Sequence, residues 1–183
     1  MTKKMKKIAF FAGLLAIISL IYAFVPSSST TNANAAEKPD WVDWETAVER
    51  NKTDKRPFIV DIYTDWCGFC KKMDRTTFTD PEVIKYINEH FHAIKFNAEQ
   101  KEPIVWEGKT FEWVNHGRRG VNTLAASLLD GKLGYPSFVY LNEDMQRIMI
   151  APGYKTPEMI MKELVYSKEK IYNKTPWQEY SGK

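Results

Sequence analysis

The feature of this sequence that most constrains its fold is an apolar strand that leads directly into two closely spaced cysteines. Residues 58–63 are bulky or β-branched except for Asp61, and this composition predicts a buried strand that ends in a turn at residues 65–66. Cys67 and Cys70 follow at once. If a helix begins at Cys67, this spacing places both sulfurs on one face of its first turn, close enough to form a disulfide.

The position of Cys67 indicates what such a pair can do. At the start of a helix, the unpaired N–H groups and the positive end of the helix dipole favour a thiolate, which is the form that attacks disulfides. We therefore predict Cys67 as the nucleophile. Cys70, one turn further in and less exposed, is predicted to resolve the mixed disulfide that Cys67 forms with a substrate. On this interpretation the Cys67–Cys70 disulfide is the redox centre, and no further cofactor is needed.

Other uses of a cysteine pair fit the sequence less well. A structural zinc site needs four ligands, and besides the two cysteines the chain has only His90, His92 and His116, at spacings that match no common zinc site, so we predict no metal. Covalent haem attachment requires a histidine directly after the second cysteine, where this chain has Lys71. A purely structural disulfide across so short a loop stabilises little, because the gain grows with the length of the loop closed.

The first 35 residues are predicted to be an export signal and not part of the fold. Four lysines among the first seven residues precede the apolar stretch 8–25, and residues 33–35 (Ala-Asn-Ala) fit a small-x-small cleavage site before Ala36. The apolar stretch is also just long enough to span a bilayer, so an uncleaved anchor in the inner membrane is the alternative. Either way, we expect the remaining domain, residues 36–183, to lie in the periplasm or elsewhere outside the cytoplasm.

Charge and length restrict the function of that domain. The whole chain has a formal charge of +3, but the four lysines of the export signal account for the excess, and the rest carries 22 basic and 23 acidic side chains. Nothing in this balance favours nucleic-acid binding. The length suits a single domain with a sizeable core. Two cysteines are too few to staple a small secreted scaffold and enough for one redox centre.

The sequence around the cysteines resembles the thioredoxin superfamily. Residues 61–67 (DIYTDWC), 70–71 (CK) and 77–83 (TFTDPEV) are similar to the periplasmic C-terminal domain of transmembrane thiol:disulfide interchange reductases and to small secreted thioredoxin-like proteins. The resemblance covers about residues 41–172. It implies an α/β thioredoxin-like fold in which helices flank a central mixed β-sheet.

The resemblance also implies roles for two charged residues. Asp61 is the one charge in its strand, and burial among apolar neighbours is expected to raise the pKa of its carboxyl. In the family pattern such an acid relays protons to and from the resolving thiol, here Cys70. Lys95, in a strand predicted over 93–97, falls where thioredoxins keep a lysine that pairs with this acid.

A second motif of the family lies far along the chain. Tyr135 and Pro136 precede an apolar strand, and in thioredoxin-like proteins the matching proline is cis and lies against the cysteine pair. The resemblance implies that these two residues bind an extended substrate chain beside the cysteines, while Trp66 covers the other side. Gly68 and Phe69, between the cysteines, are expected to tune the reduction potential.

The function that the resemblance implies is the reduction of disulfides in exported proteins. The electrons would come from a membrane donor, and the chain itself would touch the membrane only through an uncleaved N-terminal segment. A disulfide oxidase or isomerase is the alternative within the class, because Gly68-Phe69 replaces the Gly-Pro of ordinary thioredoxins. From other classes, the alternatives are a non-catalytic module that binds partners in the Tyr135-Pro136 groove and a metal carrier.

Residues 100–134 are longer than the usual family connection and are predicted as an insertion. Residues 104–114 read as an aromatic β-hairpin that packs on the core, with a partner surface as the alternative. A polar loop is predicted over 115–120 and a helix over 121–129. Three side chains of this loop are expected to face solvent, with contact to an acidic partner as the alternative: His116, Arg118 and Arg119.

Two further predictions concern the ends of the domain. Four apolar residues, Trp41, Trp44, Ala47 and Val48, fall at helical spacing behind Asp40 or Asp43 as the N-cap, which predicts a short amphipathic helix before the central strand. Residues 173–183 are predicted to form a frayed tail, from which Trp177 alone can dock back.

Overall fold

The computed structural model of the protein describes residues 38–182. The predicted export signal, residues 1–35, lies outside this range, so its cleavage and the boundary at Ala36 stay predictions. Within the range, no helix has the length and apolar character needed to cross a bilayer.

The fold is a five-stranded mixed sheet with helices on both faces and two separate hairpins. The strands are β1 (Trp41–Val42), β2 (Phe58–Tyr63), β3 (His92–Asn97), β4 (Ile104–Trp106), β5 (Lys109–Phe111), β6 (Trp113–His116), β7 (Arg119–Asn122), β8 (Ser137–Leu141) and β9 (Arg147–Pro152). The α-helices are α1 (Trp44–Arg50), α2 (Gly68–Arg75), α3 (Pro81–His90), α4 (Thr123–Leu128), α5 (Pro157–Lys168) and α6 (Trp177–Ser181). Short 3₁₀ turns cover Thr77–Thr79 and Ile171–Asn173.

The central sheet has the strand order β1-β3-β2-β8-β9. Strands β1, β3 and β2 run parallel, whereas β8 and β9 are antiparallel to their neighbours. Strand β2 therefore lies at the centre, as the apolar composition of residues 58–63 predicted. The predicted fold class, a thioredoxin-like α/β fold with a mixed sheet, is confirmed.

Alternation along β2 sends side chains to two separate cores. Phe58, Val60 and Ile62 face a cluster that includes residues of α1, the β4–β5 hairpin and α4. Ile59 faces a second cluster built from α2, α3 and α5. Full burial of each such side chain contributes about 1.5–3 kcal/mol. Because Asp61 follows Ile59 by two residues, its carboxyl lies on the face that α2 covers.

Acidic and hydroxyl side chains define the helix starts. Asp43 Oδ1 accepts the Thr46 N–H at 2.7 Å and begins α1, and Asp80 caps α3 ahead of a proline in its first turn. Of the two N-caps predicted for the first helix, the structure uses Asp43 and not Asp40. Trp41 therefore precedes the helix and lies in β1, where it pairs with Ala93.

The first part of the insertion forms the predicted hairpin, but the hairpin ends at Phe111, and Trp113 and Val114 belong to the next strand, β6. Strands β4 and β5 form a hairpin whose two turn residues, Glu107 and Gly108, both have positive φ, as a tight primed turn requires. Ile104 and Phe111 are buried, and Trp106 packs against the same cluster. This hairpin therefore belongs to the core and not to a partner surface.

The second part differs from the prediction. Residues 115–120 do not form a loop, since β6 and β7 pair as a second hairpin closed by a two-residue turn. Gly117 has φ +67° at the first turn position, which suits a type II′ turn. The predicted helix starts later than expected because Asn122 ends β7 and caps α4, its side chain accepting the Leu124 N–H at 3.0 Å. Val121 is accordingly a strand residue.

The C-terminal segment is ordered, so the prediction of a frayed tail over 173–183 is wrong for the part up to residue 182. Trp177 does dock back, as the same prediction allowed, with its ring 5.1 Å from that of Tyr166 on α5. The Tyr166 hydroxyl donates to the Thr175 carbonyl at 2.9 Å. These contacts hold the short helix α6 against α5.

Gly120→Ala is expected to destabilise the β6–β7 hairpin. A Cβ at residue 120 would lie 1.8 Å from the indole of Trp113, so the ring must leave its place. We expect the free energy of unfolding to fall by about 1–3 kcal/mol in urea denaturation. Gly134→Ala is the matched control, because a Cβ there has nothing within 4 Å and the backbone φ is not positive. Equal stability of the two variants would contradict the prediction.

Candidate active site

The two cysteines form a disulfide at the start of helix α2. Their sulfurs are 2.05 Å apart, and their Cα atoms 5.3 Å. Cys67 is the N-cap of α2, and its Sγ accepts the N–H of Cys70 at 3.1 Å. Both cysteines are buried, with exposures of 4% for Cys67 and 2% for Cys70, so the predicted difference in exposure is small.

The local structure explains how β2 presents Cys67. The strand ends at Tyr63, and the Cys67 N–H donates to the Thr64 carbonyl at 3.1 Å, which closes the turn before the helix. The sulfur then meets the free N–H groups of the first helical turn. A thiolate at this place is stabilised by the Cys70 N–H and by the helix dipole, so the site favours a reactive Cys67.

The ion pair predicted between Asp61 and Lys95 is present. The Lys95 ammonium donates to Asp61 Oδ2 at 2.6 Å, and the two residues face each other in the register of β2 and β3. Burial raises the pKa of Asp61 to about 6, and the attraction of Lys95 only partly offsets this effect. Asp61 Oδ1 is buried without a hydrogen-bond partner within the described residues. The catalytic roles of both residues stay predictions.

Asp74 is a member of this network that the sequence reasoning missed. Its Oδ1 lies 2.5 Å from the Lys95 ammonium, and its side chain is 41% exposed, whereas that of Asp61 is 2% exposed. A signal was available, because Asp74 follows Cys70 by one helical turn and therefore shares its face of α2.

Aromatic rings surround the Lys95 ammonium. It lies 5.0–5.4 Å from the ring centres of Trp41, Tyr63 and Phe78. Burial opposes the charged form of Lys95, but Asp61 and Asp74 outweigh burial and raise its pKa. Lys95 is therefore held as a cation between a buried and a half-exposed carboxylate.

The predicted substrate groove is partly assembled. Trp66 and Phe69 are 49% and 61% exposed, and Trp66 packs edge-on to Tyr135 with 5.9 Å between ring centres. The Tyr135-Pro136 peptide bond is cis. The Pro136 carbonyl already accepts the Gly153 N–H at 2.8 Å. Of the predicted pair, the backbone left to bind a substrate is therefore that of Tyr135.

Arg119 is exposed, as predicted, and it also lies beside this groove. Its guanidinium is 4.5 Å from the centre of the Trp66 ring. The Trp66 indole N–H donates to Glu99 Oε1 at 2.9 Å, and Arg119 lies 3.8 Å from the same oxygen. The sequence did not predict the β6–β7 hairpin, and it is this hairpin that carries Arg119 to Trp66. His116 and Arg118 are exposed, as predicted.

A second buried polar group was also missed. Glu163 on α5 accepts the Tyr140 hydroxyl at 3.0 Å and lies 3.2 Å from the Lys155 ammonium. Burial raises the pKa of Glu163 to about 7, although Lys155 and Tyr140 oppose the shift. The backbone N–H of Lys155 donates to Met73 Sδ at 3.5 Å. This contact links the segment after β9 to the cysteine helix α2. The sequence did contain a signal for Glu163. It follows the apolar Ile160 by three residues, which places it on the buried face of α5.

A mixed sheet with a disulfide at a helix start, a buried acid and a cis proline defines the thioredoxin class of proteins. The family model of the thioredoxin-like domain matches residues 44–168, which is more than half of the chain. The protein belongs to this thioredoxin-like family. Within the part of the chain that the structure describes, no group of three His, Cys, Asp or Glu side chains could hold a metal ion.

Individual proteins are similar over shorter stretches. The thiol:disulfide interchange protein DsbD of Ralstonia nicotianae is 46% identical over 39 residues, which are 21% of this chain and 6% of that protein. DsbD of Citrobacter koseri is 33% identical over 66 residues, or 34% of this chain and 11% of that protein. Among solved structures, a DsbH oxidoreductase superposes with a TM-score of 0.52 at 17% identity, covering 78% of this chain and 92% of its own, which shows the shared fold.

Proposed function

We propose that the protein reduces disulfides in extracytoplasmic proteins by thiol–disulfide exchange through Cys67 and Cys70. The observation that carries the proposal is the place of the Cys67 sulfur, which caps α2 and accepts the Cys70 N–H. The same contacts favour the Cys67 thiolate once the disulfide is reduced. Exposed Trp66 and Phe69 beside it supply apolar surface for a polypeptide substrate.

The exchange takes two steps and moves two electrons to the substrate. The Cys67 thiolate attacks one sulfur of the substrate disulfide, a Cys67–substrate disulfide forms, and the other substrate sulfur leaves as a thiolate. The Cys70 thiolate then attacks Cys67 Sγ, the internal disulfide forms, and the second substrate thiolate leaves. Both substrate thiolates take up protons. A partner dithiol, for which we propose a membrane electron donor, reduces the internal disulfide again.

Asp61 is proposed to accept the proton of Cys70 before the second step. It lies on the sheet face that α2 covers, and its pKa of about 6 allows the carboxyl to change protonation near neutral pH. Lys95 joins Asp61 to the half-exposed Asp74, which supports a route for the proton to solvent. Lys95 is thus proposed as a positioning residue that holds the Asp61 and Asp74 carboxylates by hydrogen bonds and acts on the cysteines only through them.

The remaining residues of the groove are proposed to bind the substrate chain and to tune the reduction potential. The Tyr135 backbone beside Pro136 would pair with an extended substrate chain, with Trp66 on the other side, and Gly68-Phe69 would tune the reduction potential. An extracytoplasmic location is supported by the export pattern of residues 1–35 and by the likeness to stretches of DsbD.

The equilibrium reduction potential of the Cys67/Cys70 pair tests the proposal. We expect a value of roughly −230 to −270 mV, in the range of proteins that donate electrons to disulfides. The measurement titrates the full chain, purified in mild detergent, against a thiol buffer and follows the fraction of the disulfide. A potential of roughly −120 to −180 mV would replace the reductase by an oxidase or isomerase. Absence of reversible exchange would refute catalysis and leave a binding module.

A further inference from the structure

The β6–β7 hairpin brings a cation to the edge of the proposed substrate groove. Arg119 stacks over the Trp66 ring at 4.5 Å, and a cation in this position is attracted by the aromatic face. Trp66 itself is held by the bond from its indole N–H to Glu99. The proposed function does not use Arg119, so the purpose of this contact is open.

Arg119 is only weakly neutralised where it lies. Its closest distance to Glu99 is 3.8 Å, near the limit for an ion pair, and the Glu99 oxygen concerned already accepts the Trp66 N–H at 2.9 Å. The Arg119 side chain is 56% exposed. A guanidinium that stacks on a ring keeps its N–H donors at the periphery, where they can bind a carboxylate in bidentate fashion.

A second cation, on helix α2, also stacks on an aromatic ring. The Lys72 ammonium lies 4.6 Å from the centre of the Tyr154 ring, which in turn faces Phe69 at 6.1 Å. None of the ion pairs found between residues 38 and 182 involves Lys72. The exposed carboxylate next to Trp66 is Asp65, and it accepts a hydrogen bond from Asn97 at 3.2 Å. The cation beside Trp66 therefore matches an apolar segment that carries an acidic residue.

We propose that Arg119 is a specificity-determining residue that selects substrates with an acidic side chain next to the reactive cysteine. The partner is an extended polypeptide whose aspartate or glutamate binds the Arg119 guanidinium while its apolar part contacts Trp66. This inference rests on the proposed function, because it concerns substrates of the same groove. Selectivity of this kind adds electrostatic complementarity to a reaction that the cysteines perform on any accessible disulfide.

The test compares three disulfide-linked peptides that differ only in the residue beside the cysteine, which is Asp, Asn or Lys. A small neutral disulfide, bis(2-hydroxyethyl) disulfide, reports exchange without recognition. With the full chain in mild detergent at low ionic strength, we expect kcat/KM for the Asp peptide to exceed that for the Lys peptide by about fivefold, as one exposed charge pair allows. Added salt should reduce this ratio.

Three variants test whether Arg119 causes the preference for the Asp peptide. Arg119→Ala should bring the ratio of the Asp to the Lys peptide to about one, whereas Arg118→Ala removes the same charge from the neighbouring exposed position and should keep the ratio. Glu99→Gln should increase the ratio, because the glutamine oxygen still accepts the Trp66 N–H but no longer neutralises Arg119.

The outcomes separate this inference from the proposed function. If Arg119→Ala lowers kcat/KM equally for all three peptides, the residue merely supports Trp66, and the inference is overturned. An unchanged ratio in Arg119→Ala, or an equal loss of the ratio in Arg118→Ala, would overturn it as well. If the wild-type protein does not exchange even with the small disulfide, the proposed function fails, and the inference fails with it.

Discussion

Cys67→Ser is expected to lower steady-state disulfide reduction by at least about a thousandfold, because the hydroxyl cannot attack a disulfide at neutral pH. The only thiol that the variant keeps is Cys70, which lies inside α2 and not at its N-cap. The measurement is turnover of a disulfide substrate with excess dithiol as reductant, corrected for the direct reaction of that dithiol. Retention of more than about a tenth of the wild-type rate would contradict the assignment of the nucleophile.

Cys70→Ser is the matched control for this experiment. It keeps the nucleophile at the helix start and removes the thiol that releases the substrate. We therefore expect the first step to proceed and a covalent complex between Cys67 and the substrate to accumulate, visible by mass spectrometry of the intact protein. If Cys67→Ser formed this complex and Cys70→Ser did not, the two roles would be exchanged.

Asp61→Asn is expected to stabilise the oxidised protein at alkaline pH. The pKa of Asp61 is about 6 in the folded state and 3.8 ordinarily, so the folded protein binds this proton more tightly than the unfolded chain does. The resulting stabilisation is fully present below about pH 4 and is lost as the pH rises through 6. At pH 8 the folded state must hold a buried carboxylate. The substitution should therefore raise the free energy of unfolding at pH 8 by about 2–3 kcal/mol, measured in urea.

The same variant should slow turnover. If Asp61 accepts the proton of Cys70, its loss should decrease the rate at which the mixed disulfide resolves by about a hundredfold at pH 7. The mixed disulfide should then be detectable in Asp61→Asn during turnover. A variant that is more stable at pH 8 and fully active would show that burial of Asp61 matters for stability and not for catalysis.

Asp74→Asn is the control for the stability measurement. Asp74 contacts the same Lys95 ammonium, but its side chain is 41% exposed, so its substitution should change the free energy of unfolding by less than about 1 kcal/mol at any pH. A loss of stability at pH 8 in Asp61→Asn would mean that attraction between Asp61 and Lys95 outweighs the cost of burying the carboxylate.

Much of the fold could be predicted because its signals are local. The apolar run of β2, the aspartate caps of α1 and α3, and the prolines after caps each depend on a few adjacent residues. The β4–β5 hairpin was predicted for the same reason. The β6–β7 hairpin was missed because Gly117-Arg118 resembles an ordinary polar loop, and its strands have little apolar alternation.

The site shows the same division. The cysteine pair, Asp61, Lys95 and Pro136 lie in motifs that a sequence displays on its own, and the resemblance to thioredoxins connected them. Asp74 and Glu163 were missed, although helical spacing placed each on an inward face. A polar residue on such a face is recognised only when its partner is known, and Lys95 and Lys155 come from distant parts of the chain.

By itself, the sequence determined strand β2, the β4–β5 hairpin, the caps of α1 and α3 and the position of Cys67 at the start of α2, because these depend on residues that are neighbours along the chain. The tertiary structure decided which distant groups meet: Lys95 between two carboxylates, the Tyr135 backbone as the open part of the groove, and Arg119 on Trp66. The physical reason is that ion pairs and ring contacts act over a few ångströms in space. The distance in space between two residues cannot be read from their separation along the chain. It is set only when the strands pair and the hairpins close.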